Sequence, residues 1–178
     1  MARRDTAARR YAEAAFEIGK ADGTLETWER DLVTLRDALR DPELRRLVEH
    51  PAIPFAEKEK VLRRVASTVS REPLSLALLM IRRGRPGAID AMVERFDELV
   101  RRERGISLAE IRTARPLDDE QRTAIAERLR ALTGDRIEIR EVVDDALIGG
   151  VSVRIGDRLY DASVRSRLER LRARLTAV

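Results

Sequence analysis

Cysteine is absent from the 178 residues. That excludes disulfides, thiolate metal sites and cysteine nucleophiles together. Histidine is nearly absent as well: His50 is the only one, and it stands before Pro51 in a predicted inter-helix loop. A catalytic base or a metal ligand needs positioned partners, and with no second histidine and no cysteine His50 reads as structural or neutral. Aromatic residues make up 3% of the chain, so any core must be built from Leu, Ile, Val and Ala. Lysine is limited to Lys20, Lys58 and Lys60, and 33 of the 36 basic residues are arginine. Apolar runs are short as well. None reaches the roughly 18–20 residues a membrane-spanning helix needs, so no direct membrane insertion is expected. The first residues, MARRDTAARRYAEAAF, lack the apolar stretch of a secretion signal. A helical pattern runs straight on from them, so they read as the start of a structural helix.

What remains is a folding composition. Hydrophobic residues reach 43% and charged residues 38%, with a formal net charge of +4. The former argues against a disordered chain, and the charged, weakly β-branched make-up leans towards helix. The charge is unevenly spread. Residues 1–105 hold 22 basic and 19 acidic side chains, residues 106–162 hold 9 and 12, and residues 163–178 hold 5 and 1. Only the last segment is a concentrated basic feature.

Up to about residue 104 the apolar spacing is helical. Tyr11, Ala14 and Ile18 share one face of a helix over about 4–20, with Ala8, Ala12, Ala15 and Phe16 on a neighbouring face. After a cap at Thr24, the residues Leu25, Trp28, Leu32, Leu35 and Leu39 form a narrow seam. Asp41-Pro42 ends that helix, because a residue before proline is pushed out of the helical region. PELRRLVEH and the turn-plus-helix PAIPFAEKEKVLRRVAS follow. The stretch from Leu74 to Ile81 is apolar on nearly every side, so it belongs to a bundle centre or has a second face covered by something else. Gly84 stops it, and Ile89, Met92, Val93, Phe96, Leu99 and Val100 mark the next helix.

After Gly105 the period changes. LAEIRT and IEIREV alternate as half-buried strands do. Between them lies a helix with Asp118 as N-cap, Gln121 three residues on and Gly134 at its end. VSVRI and RLYD form a predicted hairpin across Gly156-Asp157. Ser163 then caps a last helix, with Val164, Leu168, Leu171 and Leu175 expected inward and its arginines outward. The expected fold is mainly α with an α+β part. An N-terminal six-helix bundle spans residues 1–105, and a small C-terminal β-α-β-β-β-α domain spans residues 106–178.

No catalytic constellation emerges. The pair Gly149-Gly150 suggests a phosphate loop, but such loops lead from a strand into a helix N-terminus. Here a strand follows, so a bend or bulge is the better reading. Asp118-Asp119 is explained by favourable negative charge at a helix start, and Asp144-Asp145 lies in a loop without further ligands. Cofactors and metals are therefore not expected. The arginines Arg165, Arg167, Arg170, Arg172 and Arg174 allow three readings: a solvated face, docking to an acidic protein, or a nucleic-acid adaptor. No aromatic stacking platform accompanies the third. The Tyr11, Ala14 and Ile18 face could pair with Leu76, Leu79 and Arg83 to leave a groove for an amphipathic helix. Periodicity alone favours bundle core for both.

RRYAEAAFEIG near the N-terminus, RRGR after the fifth helix and LIGGVSVRIGDRLYDASVRSRLERL near the C-terminus together resemble the delta subunit family of bacterial F-type ATP synthase, whose mitochondrial counterpart is the oligomycin-sensitivity-conferring protein. The likeness runs over essentially the whole chain. Its most specific part is the last stretch, where Gly149, Gly150, Gly156, Asp157, Asp161 and Ser163 carry the motif in a structural capacity. The resemblance implies a non-catalytic peripheral-stalk subunit on the cytoplasmic side of the bacterial plasma membrane. It links the alpha subunits of the catalytic head to the b subunits, so that the head does not turn with the rotor during proton-driven ATP synthesis. It further implies that Tyr11, Ala14, Ile18, Leu76, Leu79 and Arg83 grip alpha-subunit N-terminal helices, reversing the bundle-core reading. Val164, Arg165, Leu168 and Arg172 are the expected b-subunit contacts, other ATP synthase subunits are expected partners, and nucleic acid is not.

Overall fold

The computed structural model describes residues 2–145, 147, 149–166, 168 and 172. The chain divides into two compact units, Met1–Val100 and Arg101–Val178. The division falls four or five residues before the Gly105 boundary expected from the change of period, because the last turn of a helix groups with the sheet that follows it.

The first unit is helical throughout: α1 Ala2–Ala21, α2 Leu25–Arg40, α3 Pro42–Glu49, α4 Phe55–Val65, α5 Arg71–Arg82, a 3₁₀ turn Pro86–Ala88, and α6 Ile89–Glu103, whose last turn crosses into the second unit. The seam residues Trp28, Leu32, Leu35 and Leu39 of α2 are all buried, together with Ile89, Met92, Val93, Phe96 and Val100 of α6. The Trp28 and Phe96 rings stack with centroids 6.3 Å apart. Truncating a buried Phe costs about 3–5 kcal/mol. Asp41 ends α2 and starts α3: its Oδ1 accepts the Glu43 and Leu44 N–H groups, both at 2.9 Å. Thr24 occupies the N-cap position of α2 but makes no side-chain capping bond. The capping expected of it is therefore positional only, and α2 depends on its buried seam for its start.

The second unit is built on a four-stranded sheet of β1 Ile106–Thr113, β2 Arg136–Val143, β3 Val151–Ile155 and β4 Arg158–Asp161, in the order β2-β1-β3-β4. Strands β1 and β2 are parallel, joined by α7 Asp119–Thr133; the β1–β3 and β3–β4 pairs are antiparallel. Alternation in β1 sends Ala109, Ile111 and Thr113 inward, where Ala109 and Ile111 join Leu129 and Val153 in a small core. Asp118 and Gln121 form a capping box on α7, with bonds of 2.7 and 3.3 Å. The β3–β4 hairpin pairs Ile155 with Arg158. Gly156 takes φ +54 while Asp157 keeps a negative φ, the sign pattern of a type II′ turn.

Val164–Ser166, Leu168 and Arg172 are helical; Arg167, Arg170, Leu171, Arg174 and Leu175 lie outside the described residues. The inward placement expected of Val164 and Leu168 does not hold. They are 36% and 54% exposed. A helical stripe says which side chains share a face, not whether the same chain covers it.

Candidate functional site

Helices α1 and α5 lie beside each other with α2 in contact with both. Between them runs a cavity of about 340 Å³ whose lining includes Ala14, Ile18, Leu76 and Leu79, over a floor that includes the buried Trp28. Ile18 is 45% exposed and Leu79 42%. Four of the six residues expected on an alpha-binding face are thus gathered in one groove. Tyr11 is half-buried against the core one turn earlier on α1, and Arg83 is exposed at the C-cap of α5; neither lines it. The groove is shallow because α1 contributes alanines. Arg71 and Glu72 also line it, so those two charges offset each other.

The walls are positioned from beneath. A Cβ on Gly19 of α1 would come within 2.9 Å of the Trp28 ring, so the helix backbone rests directly on the indole. Asp31, 2% exposed, secures the other wall. Its Oδ2 accepts the Ser70 N–H at 2.7 Å at the start of α5, and its Oδ1 accepts from Arg30 Nε at 3.0 Å. Burial alone pushes the Asp31 carboxyl pKa upward, but hydrogen bonds from the Ser70 side chain and backbone and from Arg30 outweigh it and hold the pKa below the usual carboxylate value. Sequence reasoning passed over Asp31, since it is one acidic residue beside an otherwise regular seam. Its partner lies 39 residues away.

In the second unit the motif residues converge on a structural task. Gly150 has φ +83, and a Cβ there would lie 2.7 Å from the Ala162 carbonyl oxygen. The Ala162 N–H donates to the Val151 carbonyl and the Val164 N–H to the Gly149 carbonyl, each at 3.0 Å. Asp161 accepts from the Ser163 N–H and the Ser166 hydroxyl, both at 2.9 Å, and Ser163 Oγ accepts the Ser166 N–H at 3.2 Å. The glycine pair is therefore a seat for the chain entering the last helix. That is closer packing than the bend or bulge expected. Beyond the seat, Val164, Arg165, Leu168 and Arg172 are all exposed.

Glu141 is a second carboxylate that pattern reading missed. It accepts the Leu117 N–H at 2.7 Å and an Arg122 guanidinium N–H at 2.9 Å. Those two bonds, the backbone one first, hold its carboxyl below the usual range. His50 is exposed at the end of α3, where its Nδ1 accepts the Ala52 N–H at 3.2 Å. Among the described residues no group of three or more His, Cys, Asp or Glu could hold a metal ion.

Residues 7–175 match the family model described as ATP synthase delta (OSCP) subunit. The ATP synthase subunit delta of Salinibacter ruber is 39% identical over 172 residues, covering 96% of this chain and 90% of the relative. Those of Caulobacter vibrioides and Anaeromyxobacter dehalogenans are 36% and 34% identical, over 93% and 94% of this chain. A chain of the Toxoplasma gondii mitochondrial ATP synthase hexamer, solved by cryo-electron microscopy, superposes with a TM-score of 0.68 at 28% identity. It covers 96% of this chain and 98% of that one. The nucleic-acid adaptor reading gains no support from these relatives.

Proposed function

The chain belongs to the ATP synthase delta (OSCP) subunit family, and on that premise we propose that it is a non-catalytic stator subunit linking alpha subunits to b subunits. The observation that carries the alpha half of this reading is the groove between α1 and α5, where Ile18 and Leu79 stand exposed over a buried indole floor. An amphipathic helix laid there covers side chains that the chain itself leaves in water, the helix-in-groove mode of recognition. Apolar area removed from water contributes about 25 cal/mol per Å² before the costs of association. Tyr11 and Arg83, which do not line the groove, are taken as further contacts on α1 and at the C-cap of α5. The exposed Val164 and Leu168, flanked by Arg165 and Arg172, form the b-facing surface: an apolar pair on a helix with a basic border.

The physical task is mechanical. Rotation of the rotor exerts torque on the catalytic head, and a clamp that holds the head by one unit and the stalk by the other stops it turning. Such a clamp requires binding surfaces and a rigid path between elements, with no reacting groups of its own. It sits peripherally on the cytoplasmic side of the membrane; no described helix is long and apolar enough to cross a bilayer.

The test is recovery of partners by the tagged full chain from detergent-solubilised membranes of its own host. Alpha and b subunits are expected in the eluate. Leu168→Asp should lose b while retaining alpha. Absence of both from the wild-type eluate overturns the stator reading, and retention of b by Leu168→Asp removes the last helix from the b-facing surface.

A further inference from the structure

A second concavity, sharing no residue with the α1–α5 groove, opens around the C-terminal end of α5. It has a volume of about 590 Å³, within the roughly 300–1,000 Å³ of small-molecule sites. Its floor includes the buried Val48, Ile81 and Ala88. Among the described residues four cations line it, Arg45, Lys58, Arg82 and Arg85, against one carboxylate, Glu49. Glu49 is taken by Arg45, at 3.2 Å. Arg82 lies over the Phe55 ring, 5.9 Å from its centroid. Lys58 and Arg85 make no ion pair among the described residues.

Helix ends account for part of this charge. Helices α3 and α5 both terminate at the basin, and each brings about half a negative charge with its unsatisfied carbonyls. That offsets about one of the three net positive charges and leaves about two. The basin is also shaped at close range. A Cβ on Gly87 would lie 3.5 Å from an Arg45 guanidinium nitrogen, so Arg45 sits against the backbone of the 3₁₀ turn. Among the described residues no aromatic side chain lines the basin to stack a nucleobase.

We propose that this basin binds the polyphosphate chain of a small phosphorylated ligand, with Lys58 and Arg85 as its unpaired cations and Arg45 and Arg82 completing the ring. A linear chain of phosphates presents several charges at short spacing. It matches several cations converging on one cavity better than a single monovalent anion does. Two sources offer that chemistry, inorganic tripolyphosphate and a nucleoside triphosphate.

Isothermal titration of the full chain with sodium tripolyphosphate, and separately with ATP free of divalent metal, tests the assignment at about 0.1 M salt. Saturable binding of one tripolyphosphate per chain is expected. Lys58→Ala/Arg85→Ala should weaken it by at least about tenfold. The exposed pair Lys60 and Arg64 on α4, which do not line the basin, supply a control with the same charge loss. Lys60→Ala/Arg64→Ala should stay within about twofold, the small change expected where no contact is lost. Equal affinity for the two ligands assigns the site to the phosphate chain alone; tighter ATP binding adds the nucleoside. No saturable binding by either ligand at millimolar concentration overturns the proposal. So does equal weakening by the two double variants, which reduces the effect to overall charge. Far-UV circular dichroism on each variant separates lost binding from lost fold.

Discussion

If the groove takes an alpha-subunit helix as proposed, Ala14→Asp should separate binding from folding. In the free chain Ala14 is exposed on α1, so the substitution costs only helix propensity, about 0.5–0.7 kcal/mol. Under a docked helix the new carboxylate is enclosed beside Ile18, Leu76 and Leu79. Burying an unpaired charge costs several kcal/mol, and about 3 kcal/mol already exceeds a hundredfold in affinity. A graded counterpart follows from exposure. Full burial of a Leu or Ile side chain is worth about 1.5–3 kcal/mol. With 42% of Leu79 and 45% of Ile18 still to be covered, Ile18→Ala/Leu79→Ala removes about 1.3–2.6 kcal/mol of binding. That is a loss of roughly ten- to seventyfold. Affinity can be read with a synthetic peptide from the alpha-subunit N-terminus, using Trp28, the only tryptophan and part of the groove floor, as a fluorescent reporter. A thermal melt on the same samples checks the fold. An affinity for Ala14→Asp within about threefold of wild type, a change too small for a buried charge, together with an unchanged melt, refutes this groove as the alpha site.

Two further outcomes concern stability. Asp31 and Glu141 are both held below the ordinary carboxylate range. Each therefore contributes stability that is complete above that range and lost as pH falls through its depressed folded value. The urea midpoint should fall between about pH 5 and pH 3. Asp31→Ala should lower it at neutral pH by the equivalent of about 1–3 kcal/mol and flatten the acid slope; an unchanged slope would remove Asp31 from the acid response. Gly150→Ala places a Cβ within 2.7 Å of a carbonyl oxygen at φ +83 and should cost about 1–3 kcal/mol. Amide exchange should speed up in β3, β4 and the Asp161–Val164 stretch while leaving α1–α6 protected. Uniform acceleration across both units would contradict a local seat.

The cores of both units were legible because their signals are local. Leu32, Leu35 and Leu39 are spaced as a buried stripe must be, and Ala109 and Ile111 alternate as a half-covered strand must. The polar fixings were not legible. Asp31 finds Ser70 and Glu141 finds Leu117 across 39 and 24 residues, and neither partner has a distinctive residue type. Gly150 could be marked as a conformational device, but what presses against it, the Ala162 carbonyl, is settled only by tertiary packing. Val164 and Leu168 show the limit most plainly. Their spacing defines a face, yet the sequence carries no information on whether that face is covered from within or by another chain. Of the residues lining the groove, Ala14, Ile18, Leu76 and Leu79 can be paired by spacing, yet periodicity favours bundle core for both faces. Only the family resemblance tips the balance, whereas the floor at Trp28 reads only as core.

That floor has a consequence for how a partner is held. Gly19 rests on the Trp28 ring, and Asp31 fastens the start of α5; Trp28 and Asp31 are both buried residues of α2, one turn apart. The spacing of the two walls is therefore fixed by a helix whose anchoring side chains face away from solvent. Under the proposed docking, a segment would meet a slot of set width that needs no opening. The dimension that decides fit is written in the core. Repacking beneath the groove should change its width even when every surface side chain is kept.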